Sequence, residues 1–181
     1  MKLLILDRDG VINQDSDQYI KSPAEWKPIK GSIEAIARLT QGGWRIVVAT
    51  NQSGIARGLF DMSTLNAIHD AMHRLVIQAG GRIEAIFFCP HAADSHCECR
   101  KPRPGMLREI ERRLNIPLAG VPSVGDSLRD LQAAETAGAR PILVLTGKGR
   151  KTRDAGGLPE GTEIFADLAA VAAHLVEQRA A

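Results

Sequence analysis

Six short apolar runs, Leu3–Leu6, Ile46–Ala49, Ile83–Phe88, Val121–Val124, Ile142–Leu145 and a weaker Glu163–Phe165, alternate with segments whose apolar residues recur at helical intervals. A chain that alternates strand and helix in this way predicts an α/β fold, a doubly wound and mostly parallel sheet with right-handed crossovers and helices on both faces. The spacing predicts a helix from Ser32, as N-cap, to Gly42 and a longer one over Ser63–Ala79 that turns Leu65, Ile68, Met72, Leu75 and Val76 inward. A third follows Pro104, a fourth runs from Ser127 to Gly138, and a last one spans Asp167 to about Gln178. No repeat or low-complexity linker divides residues 1–181, so a single domain is expected. In such sheets ligands sit beyond the carboxyl ends of the strands, where the strand order switches, so what ends each strand matters most.

Polar groups end strand after strand. The first apolar run passes into Asp7-Arg8-Asp9-Gly10, the second into Thr50-Asn51-Gln52-Ser53-Gly54, the third into Cys89-Pro90-His91 and the fourth into Gly125-Asp126-Ser127. Side chains two residues apart on extended chain point the same way, so Asp7 and Asp9 are placed to approach one ligand. Their mutual repulsion calls for a cation or a proton. Gly10 supplies the freedom to turn directly after them.

The three cysteines all lie between Cys89 and Cys99. An odd number in one short segment suits a metal site better than a disulfide framework. Cys89, His91, Cys97 and Cys99 make a complete tetrahedral Zn²⁺ set with no position left open, which marks a structural site, and His96 is a second-choice ligand. A net charge of +2 gives no electrostatic case for nucleic acid or a membrane surface. The apolar runs are far too short to span a bilayer, and the first strand starts without a secretory pattern, so a cytoplasmic location is the default expectation; a monomer is expected as well. His69-Asp-Ala-Met-His73 is read as two histidines on a half-exposed helix, and the basic, glycine-rich Gly147–Lys151 as a stretch bordering the pocket without doing chemistry.

Taken together, Asp7-Arg-Asp9-Gly10-Val11, Thr50, Lys101 before a proline, and Gly125-Asp126 with Asp130 four residues on resemble the haloacid dehalogenase-like (HAD) phosphohydrolases. More narrowly, Ala49–Gly58 and the cysteine segment followed by Arg100–Met106 resemble the heptose bisphosphate phosphatases, with histidinol phosphatase domains as relatives. The resemblance implies Asp7 as nucleophile and Asp9 as acid and base. It implies Mg²⁺ on Asp7, the Asp9 backbone carbonyl and Asp126, and donation from Thr50 and Lys101 to the transferring phosphoryl group. Asp130 is read as a helix-surface or orienting residue rather than a direct ligand. With no large cap domain, the pocket is shaped by loops: Asp15 to Tyr19, the segment after Thr50, and the zinc loop. Arg100, Asn51, Gln52, Ser53, Asp15 and Tyr19 are the implied substrate contacts, with Arg57 a candidate for a distal phosphate. The implied reaction removes the 7-phosphate of D-glycero-D-manno-heptose 1,7-bisphosphate, on the route to nucleotide-activated heptose. Histidinol phosphate hydrolysis and non-catalytic sugar-phosphate binding are the alternatives. Ser127 stands where some members have lysine, and the His91–Cys97 spacer is short.

Overall fold

The structure is a computed structural model and describes residues 2–177. β1 (Lys2–Leu6), β2 (Trp44–Asn51), β3 (Ala85–Cys89), β4 (Pro122–Gly125), β5 (Arg140–Val144) and β6 (Glu163–Phe165) form one sheet in the order β3-β2-β1-β4-β5-β6. Every strand pairing is parallel. β1 therefore has β2 on one side and β4 on the other, and the chain changes direction across the sheet at β1/β4.

Alternation along the central strands divides the core in two. Leu4, Leu6, Ile46 and Val48 face the layer built by α1 (Ser32–Gln41), α2 (Met62–Gln78) and α6 (Leu168–Glu177). Leu3, Ile5, Val47 and Ala49 face α3 (Gly105–Leu114) and α4 (Leu128–Thr136). Strands covered on both faces read as continuous aliphatic runs, which is why the sheet was visible in the sequence. Among the described residues no insertion forms a separate cap layer; the longest irregular connection, residues 7–31, carries only isolated bridges at Asn13.

Three expectations change. Ser32 is not the cap of α1: Gly31, at φ 86°, takes that position, and the Ser32 hydroxyl donates instead to the Val11 carbonyl at 2.9 Å. α2 is capped by Asp61, whose side chain accepts from the Thr64 amide, and Leu75 is exposed rather than inward-facing. Residues 149–155, to which no element was assigned, form the short helix α5 (Gly149–Ala155). The expected end of the last helix at Gln178 lies outside the described residues.

Candidate active site

The carboxyl ends of β1 and β4 bring Asp7 and Asp126 together with Asp130 from the first turn of α4, so that one carboxylate oxygen of each lies within 4.8 Å of the others. The Asp7 amide donates to the Val124 carbonyl at 2.9 Å, which fixes β1 against β4 at the point where their acids emerge. Two glycines let Asp126 in. A Cβ on Gly10, at φ 84°, would lie 2.0 Å from Asp126 Oδ2, and one on Gly147 would lie 2.2 Å from the same atom. Only glycine fits either position, through both space and backbone angle. The Lys148 amide donates to Asp126 Oδ2 at 2.8 Å and holds that carboxylate in place.

Lys101 is buried, with its ammonium 3.1 Å from Asp7 Oδ1, 2.7 Å from Asp130 Oδ1 and 2.7 Å from the Ala49 carbonyl it donates to. Burial alone would favour the neutral amine, but the two carboxylates push its pKa up and keep it charged. Asp130 is held low by the same contact and by hydrogen bonds from Ser127, against the opposing effect of burial. Asp130 is buried rather than on the helix surface, and its contact holds the Lys101 ammonium in place. Burial, reinforced by repulsion from Asp130, pushes Asp7 up to about 7 despite Lys101. Burial and the charges of Asp130 and Asp7 push Asp126 up to about 8. Two oxygen donors that resist ionising side by side fit a small hard cation such as Mg²⁺, whose charge removes the repulsion.

Asp9 belongs to a different network. Its Oδ1 accepts from Arg8 Nε at 3.0 Å, Arg8 Nη2 at 2.9 Å and Asn13 Nδ2 at 2.9 Å, and its Oδ2 accepts from Gln52 Nε2 at 3.0 Å. Burial raises its pKa, but the Arg8 guanidinium and these hydrogen bonds outweigh it and hold Asp9 below the usual carboxylate range. Arg8 is itself fully buried and places Nη1 3.1 Å from His69 Nε2. Because arginine only donates, His69 must accept there and carry its proton on Nδ1. Burial and Arg8 push its pKa down to about 3. His69 thus lies on the buried face of the half-exposed helix α2 and supports the site from behind.

The substrate residues expected from the sequence divide between the pocket and its scaffold. Thr50, Ser53, Arg100, Asp15 and Tyr19 border the cleft around Asp7. Asn51 and Gln52 also border it, but their polar atoms are engaged internally. The Asn51 amide bonds both main-chain groups of Lys101 at 3.1 Å, and Gln52 Nε2 bridges Asp9 and the Thr50 hydroxyl at 3.0 Å each. Arg57 is not part of the cleft; its guanidinium carbon lies 5.8 Å from the Tyr19 ring centroid. Sequence reasoning missed Lys148 as an anchor of Asp126, and missed Arg129 on the cleft wall.

Cys89 Sγ, His91 Nδ1, Cys97 Sγ and Cys99 Sγ also converge within 4.8 Å. Cys89 lies 3.1 Å from Cys99, 3.4 Å from His91 and 3.8 Å from Cys97, and His91 lies 3.3 Å from Cys99. The edge of a tetrahedron with Zn–S bonds of about 2.3 Å is about 3.8 Å, so the donor set fits Zn²⁺ with little movement. Arg103 ties the same turn by donating to the carbonyls of Ser95, at 3.0 Å, and Cys97. Arg100 and Lys101 follow directly, so the cysteine turn sets where they enter the cleft.

Comparison with known proteins agrees with this geometry. Residues 2–128 match the family described as polynucleotide kinase 3 phosphatase, and residues 98–171 the HAD-hydrolase-like family. The D-glycero-β-D-manno-heptose-1,7-bisphosphate 7-phosphatase of Bordetella bronchiseptica is 65% identical, over 98% of this chain and 99% of the relative. The enzyme of the same name from Pseudomonas putida is 57% identical, over 97% of this chain and all of the relative. The crystal structure of the B. bronchiseptica D,D-heptose 1,7-bisphosphate phosphatase, complexed with magnesium and phosphate, superposes with a TM-score of 0.97 over 98% of this chain and 99% of that one. The chain therefore belongs to the HAD-like phosphatases and, within them, to the D-glycero-β-D-manno-heptose-1,7-bisphosphate 7-phosphatase family.

Proposed function

We propose that this chain is a Mg²⁺-dependent phosphatase that removes the 7-phosphate of D-glycero-β-D-manno-heptose 1,7-bisphosphate, acting as a single domain, a monomer and a cytoplasmic enzyme without nucleic-acid or membrane partners. The observation that carries the reading is the cluster of Asp7, Asp126, Asp130 and Lys101 at the β1/β4 switch, in a chain whose near-full-length relatives bear that enzyme's name. Asp7, Asp126 and the Asp9 backbone carbonyl would hold Mg²⁺, which would offset the repulsion between the anionic nucleophile and the anionic ester. Cys89, His91, Cys97 and Cys99 would hold a second, structural metal, Zn²⁺, and so fix the turn that delivers Arg100 and Lys101.

In this reading an Asp7 oxygen attacks phosphorus and the bond to the sugar oxygen breaks, leaving an aspartyl phosphate. The Lys101 ammonium and the Thr50 hydroxyl donate to the phosphoryl oxygens as their charge redistributes. Asp9 protonates the departing sugar oxygen and then takes a proton from the water that opens the aspartyl phosphate. The Arg8, Asn13 and Gln52 contacts keep Asp9 ionised in the free chain, which suits the second half. For the first half the approaching phosphate dianion favours the protonated carboxyl.

A phosphate-release panel tests the assignment: both anomers of the heptose bisphosphate, histidinol phosphate and a 3′-phosphorylated oligonucleotide, each with and without Mg²⁺. The β-anomer is expected to turn over fastest and only with the metal. Preference for histidinol phosphate or for the oligonucleotide would overturn the substrate assignment. No turnover of any member would favour a binding protein.

A further inference from the structure

Four cations border the cleft: Arg100, Lys101, Arg129 and Lys148. Lys101 is taken up by Asp7 and Asp130, and Lys148 pairs with Asp15 at 3.3 Å and Asp17 at 3.5 Å. Among the described residues the Arg100 guanidinium meets the His91 carbonyl, at 3.5 Å, and no carboxylate. Arg129 is exposed on the cleft wall and has no acidic partner among the described residues. It lies in the first turn of α4, next to Asp130, so its backbone is fixed by the residue that anchors Lys101. The Ser127 amide and hydroxyl are both turned to Asp130 Oδ2, at 3.0 and 2.8 Å. The guanidinium of Arg129 is the charged donor this turn leaves facing the cleft.

A sugar bisphosphate brings two phosphates to such a cleft. The one that reacts is met by Asp7, Lys101 and Thr50; the other needs its own cation. A planar guanidinium pairs with phosphate through two parallel N–H···O bonds, and one that holds no internal carboxylate loses none on binding. Arg57, the candidate offered by the sequence, is stacked on Tyr19 outside the cleft.

We propose that Arg129 holds the non-reacting phosphate and so sets the preference for the bisphosphate over the monophosphate. The assignment rests on the phosphatase reading above. The test compares kcat/KM of wild type, R129M and R129K on heptose 1,7-bisphosphate and on heptose 7-phosphate. Wild type is expected to prefer the bisphosphate, and R129M to lose roughly 10- to 100-fold of that preference, mainly through KM, as for a charge-assisted hydrogen-bonded pair. R129K, which keeps the charge without the fork, should fall between. R129M retaining the wild-type preference, or wild type showing none, overturns the role of Arg129 alone. Wild type turning over neither sugar overturns the phosphatase reading and the assignment with it.

Discussion

Asp130 Oδ1 lies 2.7 Å from Lys101 Nζ, closer than the 3.1 Å that separates the same ammonium from Asp7. The lysine is thereby held mainly by Asp130, and it meets Asp7 through Oδ1, which also accepts from the Arg8 amide at 2.8 Å. Replacing Asp130 by asparagine removes the charge but keeps the shape. Lys101 should then draw toward Asp7 and weaken it as a nucleophile. D130N is expected to lower kcat by roughly 10- to 100-fold and stability by about 1–3 kcal/mol. Steady-state kinetics with denaturant melts would show both, and a variant with wild-type kcat would remove the positioning role.

The cysteine turn gives a second prediction. Between Arg103 and the four metal donors little apolar packing holds residues 91–99, most of which are exposed or half-buried. Untagged protein should contain about one zinc per chain. Stripping it with a chelator, while Mg²⁺ is kept in excess, should lower the melting temperature and the activity together. Metal analysis with no zinc, or full activity in C97S, would contradict this.

His69 gives a pH dependence whose sign is fixed. Its folded-state pKa, about 3, is below the ordinary 6.5, so between those values the unfolded chain binds more protons. Stability is then fully present above pH 6.5 and is lost as the pH falls toward 3, at up to about 1.4 kcal/mol per unit. Urea midpoints from pH 7 to pH 4, measured with saturating Mg²⁺, should fall more steeply for wild type than for H69N. Equal slopes would mean that His69 is not held neutral behind Arg8.

The sheet, its two core layers and the strand-end acids were legible because each depends on local pattern. Apolar runs make β1, β3 and β4, and Asp7, the cysteine cluster and Asp126 follow them directly. What was hidden depends on distant chain meeting. Nothing near Arg8 announces that His69, 61 residues away, will accept a hydrogen bond from it. Asn51 reads as a substrate contact from sequence, and only the fold shows its amide meeting both main-chain groups of Lys101; likewise only the fold places Arg57 over the Tyr19 ring. Ser32 looked like a helix cap because serine usually is one; the Val11 carbonyl, brought beside it by the residue 7–31 loop, gave its hydroxyl a different partner.

The central claim is that Asp7 carries the phosphoryl group. Acid-quenching the enzyme during turnover of heptose 1,7-bisphosphate with Mg²⁺, followed by peptide mass spectrometry, tests it most directly. The account predicts one added phosphoryl group on the peptide containing Asp7, absent from D7N, which should also be inactive. An unmodified Asp7 peptide together with full activity in D7N would contradict it.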